Sequence, residues 1–142
     1  PRTLFKVANP DQAASLLASA TQTHPGTTIH VIAKNPTVAS TLVKRLKKRG
    51  VTKLYEPDST ENWRKGDIIV SPIPYFVSEV TRISGMVVFV GVEVFRSKEV
   101  LSKLQLLDNV MRCGILIGEA STSLREQLTI EGLMGRAIKI DP

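Results

Sequence analysis

The sequence predicts an α/β domain, a three-layer sandwich whose mostly parallel sheet is covered on both faces. Three observations carry that expectation. Short runs rich in β-branched residues, at 28–33, 67–71 and 86–90, read as buried strands. Segments of helical period alternate with them, and a strand that returns through a helix returns parallel to its neighbour. Two of those helices open on the same dipeptide, Asn9-Pro10 and Asn35-Pro36, in which Asn caps and Pro fits the first turn.

Length and composition agree with one domain. The chain has 142 residues, 42% of them hydrophobic and 23% charged, a globular balance with enough apolar material for a real core. No apolar run approaches the roughly 20 residues that span a bilayer, and no charged-then-apolar leader is present, so no membrane partner is expected. A chain opening on Pro1 implies that an initiating Met or a longer precursor has been removed. The single cysteine, Cys113, excludes an internal disulfide and a cysteine-built zinc site. Nineteen basic against 13 acidic residues give a net charge of +6, which favours anionic partners such as RNA or acidic protein surfaces.

Taken in order, residues 4–8 form a short apolar run ending at Asn9-Pro10. A helix is expected over 10–21, with Ala13, Leu16, Leu17 and Ala20 inward, stopped by His24-Pro25-Gly26. The strand at 28–33 follows. The next helix places Val38, Leu42 and Leu46 on one face beside Ala39 and Val43, and Gly50 ends it. Residues 51–56 form a short strand before Pro57-Asp58. The polar stretch 59–65, which holds Trp63, reads equally as a helical turn or a loop. The central strand at 67–71 is broken by Pro72-Ile73-Pro74, and the strand at 86–90 sits between Gly85 and Gly91. Residues 97–107 read as helix or as extended chain, and 110–117 as two short strands meeting near Cys113-Gly114. Ser123 caps a helix over 123–132, Glu126 can close a capping box, Leu124 and Leu128 give an inward face, and Gly132 and Gly135 unwind the end. Residues 136–140 suit a final strand. In parallel sheets ligands sit outside the carboxyl ends of the strands. Here Pro10, Pro36, Pro57 and Pro72 make those ends blunt and stiff, which argues against a phosphate cradle.

The stretch Ser-Leu-Arg-Glu-Gln-Leu-Thr-Ile-Glu-Gly-Leu-Met-Gly-Arg at 123–136 resembles, without a gap, the last conserved helix in the second RecA-like domain of superfamily 2 helicases. The nearest likeness is to the DExH helicases of positive-strand RNA viruses, which write it as Ser-Tyr-Gly-Glu-Arg-x-Gln-Arg-x-Gly-Arg-x-Gly-Arg. Ser123, Glu126, Gly132, Gly135 and Arg136 agree with that pattern. Thr129 and Ile130 replace its Gln-Arg, and Leu133 replaces the arginine that reaches the nucleotide's phosphates. The likeness extends over roughly 26–136. Residues 28–34 look like the strand that opens the second helicase domain, Ser71, Pro72 and Val77 stand where the family carries Ala-Thr and Gly, and 110–117 matches a hairpin before the last motif. The resemblance implies a RecA-like fold of the helicase C-terminal type and a domain that has lost catalysis. No Gly-x-x-x-x-Gly-Lys-[Ser/Thr] occurs in the chain, and losing a phosphate-contacting arginine typically costs on the order of 10³ or more in rate.

The expected function is therefore non-enzymatic: a repurposed helicase-like domain that binds protein or builds a viral particle or replication complex, in the virion or the cytoplasm of an infected host cell. The alternative is the RNA-binding half of a helicase that works with a separate ATP-binding domain. No cofactor and no metal are expected. Viral structural or replication proteins are the expected partners, with RNA and a second copy of the chain also admitted. Arg136 is the vestigial phosphate contact, or a helix-end cation meeting the last carbonyls. Lys44, Lys47, Lys48, Arg49 and Lys53, with Arg45 among them, form the densest positive cluster, readable as an RNA contact or as a solvated helix face. His24 and His30 do not make a metal site, Glu93 and Asp108 are acids without a matched partner, and Cys113 reads as a small buried hydrophobe. Trp63, Tyr75 and Phe76 are candidates for an exposed aromatic patch that a protein partner would cover.

Overall fold

A computed structural model describes residues 2–56, 68–107, 110–118 and 123–140. The elements follow in the order β1 (Arg2–Val7), α1 (Pro10–Thr23), β2 (Ile29–Ala33), α2 (Pro36–Lys48), β3 (Leu54–Tyr55), β4 (Ile68–Pro72), α3 (Ile73–Glu79), β5 (Met86–Val90), α4 (Val92–Phe95), α5 (Lys98–Lys103), β6 (Met111–Ile117), α6 (Leu124–Met134) and β7 (Ala137–Lys139). The strands form one sheet in the order β3-β4-β2-β5-β6-β1-β7, with every pairing parallel.

Period-two alternation divides the strand residues between two layers of core. Ile29, Val31 and Ala33 of β2 and Met86, Val88 and Val90 of β5 face α1 and α2, where Ala13, Leu17, Leu42 and Leu46 meet them. Ile32, Val87 and Phe89 face the other way, toward α3, α4, α5 and α6, and meet Phe76, Phe95, Val100, Ile130 and Met134. Because both faces are covered, β2 and β5 are buried at every position.

Both Asn-Pro devices work as local physics requires. Asn9 Oδ1 accepts from the Gln12 N–H at 2.9 Å, and Asn35 Oδ1 accepts from the Val38 N–H at 2.9 Å. Asn35→Ala is expected to lower the unfolding free energy by about 1 kcal/mol, read as a lower urea midpoint at unchanged slope; no shift would mean that tertiary packing alone fixes the start of α2.

Several expectations are corrected. Residues 110–117 are one continuous strand, β6, rather than two strands or a hairpin. Gly114 does not break it: a Cβ there would stand 2.8 Å from Leu4 Cδ1 and 2.9 Å from Phe95 Cζ, so the glycine makes room for an aromatic ring. Pro72-Ile73-Pro74 does more than end a strand, since α3 starts at Ile73 with proline in its first turn. The ambiguous 97–107 stretch is helical, with α5 capped by Ser97 and a short 3₁₀ turn over Leu104–Leu106. Val38 is on the exposed side of α2, where Ala39, Leu42, Val43 and Leu46 supply the buried face.

The largest correction concerns α6. Leu124 and Leu128 face solvent, and Ile130 and Met134 are the buried pair. An i, i+4 pair of leucines reads the same whichever way the helix is turned, and here the turn buries Ile130 and Met134 and is accompanied by polar contacts. Gln127 Oε1 accepts from Lys6 Nζ at 3.2 Å, and Glu126 accepts from Arg96 Nε at 2.6 Å and Nη2 at 2.9 Å. Ser123 does cap the helix, accepting from the Glu126 N–H at 3.1 Å, but the Glu126 carboxylate goes to Arg96 instead of closing a capping box. The helix continues through Gly132 and ends at Gly135, whose φ of +91° suits glycine and whose N–H reaches Glu131 O at 2.8 Å. Phe76 is fully buried and Tyr75 partly so, which removes the exposed aromatic patch. Trp63, Asp58, Asp67 and Asp108 lie outside the described residues.

Candidate functional site

The sheet order defines one topological switch point. From β2 the chain leaves through α2, on the α1 side, toward β4 and β3. From β5 it leaves through α4 and α5, on the opposite face, toward β6. Adjacent strands whose connections diverge open a crevice at their carboxyl ends. A cavity of about 250 Å³ lies there, lined by Lys34, Val38, Val90, Gly91, Val92, Glu93 and Ile117.

Each wall has a local cause. β2 ends at Ala33, leaving Lys34 exposed on one lip, and the Asn35 cap sets α2 running away behind it. β5 ends at Val90, and Gly91 turns the chain into α4 with φ +98°. Its N–H donates to Ile115 O at 2.8 Å, which ties the turn to β6. Glu93 folds back over this glycine: a Cβ at Gly91 would stand 2.9 Å from Glu93 Oε2. The cavity thus combines one cation, one carboxylate and four branched apolar side chains.

A phosphate site at such an edge needs free helix N–H groups. In α2 the first position is Pro36, which has none, the Val38 N–H is held by the Asn35 side chain, and the Ala39 N–H by Asn35 O at 3.0 Å. In α1, Pro10 has none, and the Gln12 and Ala13 N–H groups are held by Asn9. The same stiff caps that make these helices easy to read take up part of the donor set a phosphate would use.

Below the edge, Arg96 at the end of α4 clasps Glu126 in the first turn of α6. The guanidinium hydrogen bonds hold the Glu126 carboxyl below its usual range, and the carboxylate holds Arg96 above its own. This clasp joins residues 30 apart and had no signal in the sequence. Glu93 was visible only as a lone acid; its position just past a strand end and a glycine was the available pointer.

The sequence-predicted residues do not meet. Arg136 is exposed, next to β7 and the amino end of β1, where a Cβ at Gly135 would lie 3.2 Å from Arg2 O. The helix leading to it, α6, is about 16 Å long, so Arg136 and Leu133 sit toward the edge of the sheet opposite the switch point. Arg136 makes no ion pair among the described residues, and the helix-end carbonyl of Glu131 is taken by Gly135 instead. Lys44, Lys47, Lys48, Arg49 and Lys53 are all exposed around the C-terminal end of α2 and the start of β3. Arg49 binds Asp11 at 2.8 Å, and Arg45 approaches the same carboxylate at 3.6 Å, so part of the cluster is neutralised. Roughly 25–30 Å of sheet, at about 4.8 Å per strand, separates this cluster from Arg136.

Among the described residues no group of three or more His, Cys, Asp and Glu could hold a metal. Cys113 lines a second cavity of about 280 Å³ between α1 and the sheet, with Phe5, Leu16, Met86 and Met111, and burial pushes its thiol pKa up. No helix among the described residues is long and apolar enough to cross a membrane.

The seven-stranded parallel sheet with helices on both faces is the α/β architecture of a helicase C-terminal, RecA-like domain. Among solved structures, the chain is similar to the C-terminal domain of a possible DNA helicase from Lactobacillus plantarum WCFS1. The TM-score is 0.59 and the identity 18%, with 99% of this chain and 85% of that one covered. At that identity the likeness is one of fold. No family model and no curated protein matches the chain.

Proposed function

We propose that this chain is a helicase-like domain without nucleoside triphosphatase activity, repurposed to bind protein as a structural component of a viral particle or replication complex. The observation that supports this reading is the lining of the switch-point cavity. A triphosphate placed there meets the Glu93 carboxylate and the apolar walls of Val38, Val90, Val92 and Ile117, with Lys34 as its one cation. At the start of α2, beside the cavity, Pro36 has no N–H and the Val38 N–H is engaged by the Asn35 side chain. The viral assignment draws on the resemblance of residues 123–136 to the DExH helicases of positive-strand RNA viruses. Viral structural or replication proteins are then the partners, in the virion or the cytoplasm of an infected cell. The purified chain is expected to release no phosphate from ATP above the buffer rate, with or without poly(U). Turnover by this chain alone would overturn the reading.

One observation favours a second reading, the RNA-binding half of a helicase with a separate ATP-binding domain. Lys44, Lys47, Lys48 and Lys53 are exposed and make no ion pair among the described residues. Filter binding of single-stranded RNA across a salt series separates the two. If the four lysines hold four phosphates, a fourfold rise in salt weakens binding by roughly 50-fold. Micromolar or weaker binding throughout leaves the protein-binding reading ahead.

A further inference from the structure

We infer that the outer face of α6, with the arginines at its foot, is a docking surface for an acidic amphipathic helix of a partner protein. The inference rests on the protein-binding reading and supplies the partner's chemistry. Leu124 and Leu128 lie one turn apart and are 75% and 59% exposed, although Ile130 and Met134 already serve the core from the same helix. Leucines at i and i+4 are the anchors through which amphipathic helices recognise each other. The next position along that stripe is Gly132, where a Cβ would meet nothing within 4 Å, so the leucine ridge ends on an open shelf.

Charge selects the occupant. Arg125 is exposed beside the leucines, and Arg136, also exposed, follows Gly135, where a Cβ would lie 3.2 Å from O of the exposed Arg2. None of the three makes an ion pair among the described residues. The acids of α6 are already committed. Glu126 is clasped by Arg96, and Glu131 accepts from the Ala137 N–H at 3.2 Å and from Gln127 Nε2 at 3.5 Å. Among the described residues, an apolar ridge flanked by cations without an ion pair remains. A second copy of this face would set arginine against arginine, with the described acids of α6 already engaged. RNA would satisfy the arginines and leave both leucines in water. A helix with an apolar seam and acidic flanks satisfies both features at once.

The test uses a synthetic peptide of about five helical turns, with Leu at i, i+3, i+4 and i+7 and Glu predominating elsewhere, against the same residues scrambled. Fluorescence anisotropy with the wild-type chain is expected to show micromolar binding of the amphipathic peptide and at least about tenfold weaker binding of the scramble. The double variant Leu124→Ser, Leu128→Ser is expected to weaken binding by about tenfold or more with no loss of thermal stability, because both side chains are exposed. Gly132→Gln fills the shelf and is expected to do the same. Arg125→Glu with Arg136→Glu should abolish binding, and a Lys-for-Glu version of the peptide should then bind the reversed surface. Equal binding of the scramble would overturn the inference. So would full binding by the leucine variant, or poly(U) displacing the peptide with an affinity that the leucine variant does not change. ATP turnover by the chain would remove the function proposed above and leave these outcomes standing. A partner mapped to another face would remove only the present inference.

Discussion

Phe89→Ala is expected to lower the unfolding free energy by about 4 kcal/mol, a large share of the 5–15 kcal/mol typical of a domain. Phe89 lies on β5 near the centre of the sheet and is fully buried. Its ring meets Phe76 edge-on at 5.4 Å between centroids and 83°, and Phe95 at 5.8 Å and 61°. Truncation would therefore remove the transfer term of a buried ring, both edge-to-face contacts and the filling between α3 and α4. That space has little room to collapse, because Phe95 already packs into the notch left by Gly114. Urea unfolding followed by far-UV circular dichroism measures the effect, with Leu106→Ala, at a half-exposed position, as the control that should shift little. A loss below about 1.5 kcal/mol for Phe89→Ala would mean that this side of the sheet is less tightly packed than the ring geometry requires.

Acidification from pH 7 to pH 4 is expected to cost the protein about 3 kcal/mol through His30 alone. His30 is 1% exposed on β2, between Ile69 and Val87, and burial pushes its pKa down from 6.5 to about 4. The sign follows from proton uptake. In the unfolded chain the imidazole takes its proton near 6.5, whereas the folded chain resists until about 4. Between those values the unfolded state binds more protons, so stability is fully present above 6.5 and is lost as pH falls toward 4. His30→Gln removes this titration and is expected to flatten the profile across that window, leaving only the losses that the carboxylates cause. Urea midpoints at half-unit pH steps decide it; parallel profiles for the two proteins would sink the assignment.

Most of the fold was legible where a local rule and a tertiary demand coincide. Both Asn-Pro starts were readable because the cap is made within four residues. The strands at 28–33 and 86–90 were readable because a strand buried on two faces is predominantly apolar, here with His30 as the one polar residue of β2 and β5. The failures have a common cause. Leu124 and Leu128 fit an inward face as well as Ile130 and Met134 do, and the helix is oriented by contacts distant in sequence: the core that receives Ile130 and Met134, with Lys6 and Arg96 beside it. Cys113-Gly114 resembled a strand break because a glycine that accommodates a ring from another element looks the same as one that turns the chain. The aromatic pair Tyr75-Phe76 gave no hint of its direction until α3 was placed against the sheet.

The candidate site divides in the same way. By itself the sequence determined an α/β chain with a parallel sheet and stiff, proline-marked strand ends, because those properties are set by periodicity and by caps a few residues long. Only the tertiary structure decided that β2 and β5 lie side by side with diverging connections, that Lys34 and Glu93 share a cavity there, and that Arg136 lies toward the opposite edge. Strand order is fixed by which faces bury together across the whole chain, and no local pattern encodes it.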